Sequence, residues 1–334
     1  MSVTRKSRNL IIDMNSPLIS GVHAFMLGVN EFEPLQRVFV DAMGWDVIGQ
    51  WNLPRPLCAH LWAADSAAQV MVLASRGVNH GRVHLYRFED LKVTEPEALG
   101  PRAYGFRAMN TYVRDMQVAR QRVEAAGATW GAETRFEITS VDGTTQSVHQ
   151  GRVLLPDAAG LVFVKPTIPR WTAAWSKDDS VFCPEATSVV VASHDADASK
   201  RFWGPEGLGL EIRYDVEQRN PDTNKMIGLE PDAAVRVVFC WAEKTSRVEI
   251  LGRAEDPYGQ IERPDATRQQ RPGLAKGAIG WVVQVGDLDE ALTQMVQAGG
   301  RIVAAPVEGS AGFHPGQVAT VRTPENTWIS VWGS

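Results

Sequence analysis

Gly280-Trp-Val-Val-Gln-Val-Gly-Asp287 alternates apolar residues and then turns acidic, and Leu288, Ala291, Leu292 and Met295 follow at helical spacing before Gly299. Period two followed by period 3.6 with a glycine stop reads as a strand leading into a helix. Three more stretches carry the same signature: Ala24-Phe-Met-Leu-Gly-Val-Asn-Glu31, Ala108-Met-Asn-Thr-Tyr-Val-Arg-Asp115 and Ser188-Val-Val-Val-Ala-Ser-His-Asp195. The first continues through Leu35, Val38, Phe39, Ala42 and Met43 to Gly44, and the second through Met116, Ala119, Val123 and Ala126 to Gly127. Trp203-Gly-Pro205 cuts the third helix short, since proline cannot continue it.

Short β-branched and aromatic runs follow each helix. In the first quarter they cover 46–51, 58–64 and 69–74, and in the third 210–216, 235–241 and 247–251. Each quarter is therefore expected to be one strand, one helix and three strands. Residues 82–88 read as an extra strand leading to the second copy, 166–185 as a Pro- and Trp-bearing linker, and 253–276 as a polar surface connection.

At 334 residues, 44% hydrophobic and 22% charged with a net charge of −5, the chain reads as a soluble globular protein of two domains. No clustered basic surface suggests nucleic acid or an anionic membrane as a partner. Cys58, Cys183 and Cys240 are odd in number and far apart, which fits neither a disulfide framework nor a zinc knuckle and points to the cytoplasm. Leu10-Ile-Ile12, behind Arg5, Lys6 and Arg8, is too short for a signal-peptide core, and no run suggests a transmembrane helix. Eleven Trp against five Tyr suit sheet packing or an aromatic-lined pocket. Glycine-rich nucleotide loops and a Gly-x-Ser-x-Gly elbow are absent.

Further motifs give the modules an order: Val285-Gly-Asp-Leu-Asp289 before the fourth helix, Leu155-Pro-Asp-Ala-Ala-Gly160 and Thr323-Pro-Glu-Asn326 before last strands, and Asn224-Lys-Met-Ile-Gly-Leu229 before a strand. With the fourfold signature they make residues 20–334 resemble the vicinal oxygen chelate superfamily. That superfamily includes glyoxalase I, extradiol dioxygenases, methylmalonyl-CoA epimerase and the bleomycin and fosfomycin resistance proteins. The resemblance implies an α+β fold of four βαβββ modules paired into two half-barrel domains. The expected division is a tail over 1–20, a first domain over 21–165, a linker over 166–185 and a second domain over 186–334.

The resemblance also implies a divalent metal held by residues at the start of first strands and on last strands, acting as a Lewis acid on vicinal oxygens. The corresponding positions here are Ala24, Ala108, Ser188 and Gly280, with Met71, Val164, Glu249 and Ser330. Only Glu249 is a ligand type, so no cofactor is expected; a divalent metal would require a different alignment. Strand alternation puts His23 with Phe25 and Leu27, away from the cavity. His60, His80 and His84 match no compact ligand spacing.

Candidate chemistry rests instead on Glu249 as a base and on His149 and His314, which recur in Val148-His-Gln-Gly-Arg-Val153 and Phe313-His-Pro-Gly-Gln-Val318. Gln284, Asn110, Tyr112 and Trp328 are the candidate substrate contacts. Glu249 and His314 are expected to share the carboxyl-terminal half. The expected function is acid-base lyase or isomerase chemistry on a small apolar or aromatic oxygenated molecule, with a homodimer open. A metal-free hydrophobic-ligand binding protein and an extradiol-type dioxygenase remain as alternatives.

Overall fold

The acidic residue that closes each repeat is a helix cap. In the computed structural model the side chains of Asp115, Asp195 and Asp287 accept from the backbone N–H of Val118, Ala198 and Glu290, each at 2.9 Å. An aspartate there satisfies one of the N–H groups that the first helical turn leaves open. The first copy has Glu31 instead, and its helix starts at Glu33 without a side-chain cap. Gly44, Gly127 and Gly299 stop three of the helices at φ of +78°, +88° and +98°, a left-handed conformation that costs glycine little.

The structure describes residues 18–90, 105–139, 143–155, 160–168, 170–242, 247–253, 277–309, 316–325 and 327–333. The first module comprises β1 (Ile19–Gly28), α1 (Glu33–Gln36, continued by a π-helical turn Arg37–Ala42), β2 (Asp46–Leu53), α2 (Arg55–Trp62), β3 (Ala68–Ala74) and β4 (Arg82–Phe88). The second has β5 (Gly105–Tyr112), α3 (Met116–Ala125), β6 (Thr129–Thr139), β7 (Thr145–Leu154) and β8 (Gly160–Pro166), and α4 (Ala173–Lys177) follows it. The third has β9 (Ser188–Ser193), α5 (Ala196–Trp203), β10 (Glu211–Gln218), α6 (Pro221–Ile227), β11 (Val235–Trp241) and β12 (Arg247–Arg253). The fourth has β13 (Gly277–Val285), α7 (Leu288–Gln297), β14 (Arg301–Glu308), β15 (Gln317–Arg322) and β16 (Trp328–Gly333).

Two expectations about the first module are corrected. Residues 82–88 are its last strand, paired parallel with β1, and not an extra one. Residues 58–64 fall in α2 and its cap, because Leu57, Cys58, Leu61 and Trp62 lie on one helical face and Pro54 and Pro56 favour a helix start over a sheet interior.

Within each module the strands lie in the order first, last, third, second. The modules join through antiparallel pairs of first strands, β1 with β13 and β5 with β9. The first module therefore shares an eight-stranded sheet with the fourth, and the second with the third. The sequential halves 21–165 and 186–334 are not the sheet units, since every module presents the same first-strand edge and the repeat does not say which edges meet. The segment 166–185 is tied to the first module: the Trp45 indole N–H lies 3.2 Å from the carbonyls of both Cys183 and Pro184. The Glu185 carboxylate accepts from the N–H groups of Ala173 and Ala174 at the start of α4.

The two sheets pack back to back. Phe25 meets Phe106 with ring centroids 6.0 Å apart, Phe106 meets Trp281 at 5.7 Å, and Trp281 meets Trp203 at 5.5 Å. This aromatic chain lies in one core shared by all four modules and α1, α3, α5 and α7. Glu325, fully buried, accepts from the Trp203 indole at 2.7 Å and from Ser199 at 3.1 Å, and so fastens the fourth module to α5.

The concave faces differ. In the sheet of the first and fourth modules, α2 drops into the half-barrel and packs Leu57, Cys58, Leu61 and Trp62 against Met26, Val70, Val72, Tyr86 and Val282. Trp62 meets Tyr86 edge-on at 5.1 Å and its indole N–H reaches Ser330 Oγ at 3.4 Å. His60 Nε2 lies 2.9 Å from the Ala305 carbonyl on the far wall. This half-barrel is filled by its own chain.

Trp62→Ala should remove a buried bicyclic side chain and lower stability by about 3–5 kcal/mol in denaturant unfolding. Trp171→Ala, at a position 53% exposed, should stay within about 0.5 kcal/mol of wild type.

Candidate functional site

Parallel pairing of first and last strands makes equivalent positions readable. Ser188 faces Arg247 and Val190 faces Glu249; Ala24 faces Arg82 and Met26 faces His84; Asn110 faces Val162; Val282 faces Ser330. The counterparts of Glu249 are thus His84, Val162 and Ser330. Two sequence assignments are corrected: Met71 lies on the third strand of its module, and Val164 lies one pleat beyond the equivalent residue.

The half-barrel of the second and third modules holds a cavity of about 590 Å³. Valines 148, 162, 164, 190, 235 and 237 supply much of its apolar wall, with Phe136, Tyr214, Phe239 and Trp241, and Met226 and Ile227 of α6 join them. One polar cluster is set into this wall. Asn110 Nδ2 donates to Glu249 Oε2 at 3.0 Å, and Arg247 Nη1 donates to the Tyr112 hydroxyl at 3.1 Å. Arg247 Nη2 stands 3.9 Å from Glu249 Oε2, beyond hydrogen-bond reach. The guanidinium lies over the rings of Phe239 at 4.9 Å and Trp241 at 5.1 Å. Such ring contacts hold a cation in an apolar wall.

Burial pushes the Glu249 carboxyl above the ordinary carboxylate range, against the opposing pull of Arg247 and the Asn110 hydrogen bond. Burial also works against the Arg247 cation, but the Tyr112 and Glu249 oxygens outweigh it and raise its pKa. Asn110 Oδ1, Arg247 Nε and Gln146 Oε1 are buried without a hydrogen-bond partner among the described residues, which is unusual for buried polar atoms.

Of the sequence-derived candidates, Glu249, Asn110 and Tyr112 converge on this cavity. His149 does not: on β7 it points away from the cavity-facing Val148 and Gln150, and its Nε2 lies 2.7 Å from Glu133 Oε2. Gln284 is exposed and Trp328 buried, both in the other sheet. His314 lies outside the described residues, and the strands flanking it, β14 and β15, also belong to the other sheet. The expectation that Glu249 and a fourth-module residue share one half-barrel is thereby corrected. His23 too departs from expectation: a bulge between Val22 and Ala24 brings its ring 5.4 Å from Trp332, on the filled side. Arg247 was not singled out from sequence, although Arg247-Val-Glu249 alternation places both charges on one face.

The metal positions implied by the fold can be tested on donor chemistry. The open half-barrel offers Ala108, Val162, Ser188 and Glu249, and the filled one Ala24, His84, Gly280 and Ser330. A Cβ at Gly280 would stand 1.9 Å from the Trp328 carbonyl oxygen, so that backbone admits no ligand side chain. One carboxylate and one hydroxyl beside a guanidinium do not match the donor set a divalent ion needs. No group of three His, Cys, Asp or Glu residues arranged to hold a metal occurs among the described residues.

The sequence matches no protein-family model and no curated protein. Solved structures do match. Glyoxalase I from Zea mays superposes with a TM-score of 0.59 at 13% identity, covering 94% of this chain and 92% of its own. A proposed dioxygenase from Bacillus subtilis has a TM-score of 0.59 at 10% identity, covering 95% and 86%. The chain has the four-module vicinal oxygen chelate fold of these proteins, in two half-barrel sheets. No helix among the described residues is long and apolar enough to cross a membrane.

The raised Glu249 pKa has a signed consequence. A carboxyl that holds its proton more tightly folded than unfolded makes stability fall as pH rises from the unfolded pKa through the folded one. Relative to Glu249→Gln, wild type should therefore lose stability over that window and level off above it, as urea titrations across the pH range would record.

Proposed function

We propose that this chain is an enzyme of the vicinal oxygen chelate type that acts on a small oxygenated aromatic or largely apolar molecule by proton transfer next to a carbonyl. Lyase or isomerase chemistry follows from that step. The observation that carries the reading is Glu249, enclosed in an apolar cavity, raised in pKa, and anchored by Asn110 with Arg247 beyond hydrogen-bond reach. A carboxylate whose proton affinity is raised is a stronger base for proton abstraction.

Glu249 takes the proton from the carbon next to the carbonyl, and the C–H electron pair moves onto the carbonyl oxygen. The resulting enolate oxygen is stabilised by the positive charge of the Arg247 guanidinium and by the Tyr112 O–H, both on the cavity wall. Because Tyr112 accepts from Arg247, its own proton remains available to the substrate. Fixed donors at a developing oxyanion are an effective source of transition-state stabilisation in a water-poor site. Return of the proton on the other face completes an isomerisation; departure of a β-substituent completes an elimination. Asn110 orients the base. The residues do not fit the fold's usual metal, and no step runs through one.

The valines and aromatic rings of the wall favour a second reading: a binding protein that holds a hydrophobic ligand unchanged. Both readings are tested by incubating the protein in D₂O with a panel of aryl hydroxyketones and aryl β-keto acids and following carbon-bound deuterium by NMR. The enzyme reading expects exchange into at least one compound and a loss of about 10²-fold or more in Glu249→Gln. Undiminished exchange in that variant removes Glu249 from the mechanism, and tight binding of panel members without exchange supports the second reading.

A further inference from the structure

The charge on the cavity wall is not used up by the reacting cluster. Five arginines line it, Arg107, Arg152, Arg170, Arg213 and Arg247, against two carboxylates, Glu211 and Glu249. Glu211 is held by Arg213 at 2.7 Å, and Glu249 neighbours Arg247. Arg152 is half-buried and donates from Nη1 to the Met226 carbonyl in the last turn of α6 at 3.1 Å. It pairs with no carboxylate among the described residues. A neutral carbonyl supplies a hydrogen bond but no countercharge, which leaves the cation undercompensated. Burial accordingly lowers the Arg152 pKa.

Arg152 also stands at a telling place in the sheet. It faces Val162 on β8, and Val162 faces Asn110 on β5, the residue that holds Glu249. Two strand spacings put its backbone about 10 Å from that of Asn110 along one rung, and both residues line the cavity.

The filled half-barrel contains an internal precedent for what such a half-barrel can hold. Ser330 there is the counterpart of Glu249 and Met26 that of Asn110, and a bicyclic aromatic, the indole of Trp62, donates to Ser330 and meets Tyr86 edge-on. The open half puts a stronger acceptor, Glu249, at Ser330's place and adds a cation, Arg152, on the neighbouring rung with Asn110.

We propose that the open cavity takes an ionised aromatic carboxylic acid, with the carboxylate on Arg152 and the ring laid toward Glu249 as Trp62 lies toward Ser330. This rests on the reading of that cavity as the working site and names its substrate class. A guanidinium binds a planar carboxylate through two parallel hydrogen bonds, which a neutral amide of the same shape does not reproduce.

Calorimetric titration of wild type with 2-naphthoate and with 2-naphthamide at neutral pH tests it. The expected result is one site per chain, naphthoate bound at least tenfold tighter, and the preference lost in Arg152→Gln but kept in Trp171→Ala, which lies outside the cavity lining. Equal affinity for acid and amide in wild type overturns the proposal, with no variant needed. So does an unchanged preference in a folded Arg152→Gln protein. Deuterium exchange of neutral carbon acids without carboxylate preference sinks this inference and leaves the catalytic reading intact. A carboxylate preference without exchange in any compound does the reverse.

Discussion

Antiparallel pairing of first strands is the constraint from which the rest of the structure follows. The pairs β1 with β13 and β5 with β9 turn four open modules into two continuous eight-stranded sheets. The convex faces of those sheets then have to bury their apolar residues against something, and they bury them against each other. The chain of rings from Phe25 through Phe106 and Trp281 to Trp203 crosses that boundary without interruption. Neither sheet can lose its partner without exposing the largest apolar side chains in the protein, so the two half-barrels form one cooperative core.

The two concave faces are free of that obligation and have diverged. One is closed by α2, whose Trp62 occupies the rung that Glu249 commands in the other. The other keeps a cavity of about 590 Å³ and gathers Asn110, Tyr112, Arg247 and Glu249 into it. The same rung position is serine under an indole in one half and a buried glutamate beside a guanidinium in the other. Burying a charge is costly unless it is paired or serves a purpose. At 3.9 Å the Arg247 to Glu249 contact is too loose for a structural ion pair of good geometry.

Much of the fold was legible because local patterns carry it. The alternation in 280–285, the capping aspartates and the left-handed glycines each act within one element, and the modules followed from them. Errors arose where one pattern suits two structures. Residues 58–64 are apolar enough for a strand, and the half-barrel they fill adds to Pro54 and Pro56 in favouring a helix. In the site, Glu249, Asn110 and Tyr112 are readable from strand alternation, whereas the sequence alone does not bring Arg247 and Arg152 to the same cavity. His149 was misjudged by one step of the pleat, which in a strand is the whole difference between cavity and exterior.

The sequence by itself determined the βαβββ modules and their number, because these depend on residue type and short-range periodicity. Which modules share a sheet, which half-barrel stays open, and which charges meet there were decided only by tertiary structure. Every module offers an equivalent first-strand edge, and the pairing follows from burying aromatic faces contributed by residues as far apart as Phe25 and Trp281, a contact that no local pattern encodes.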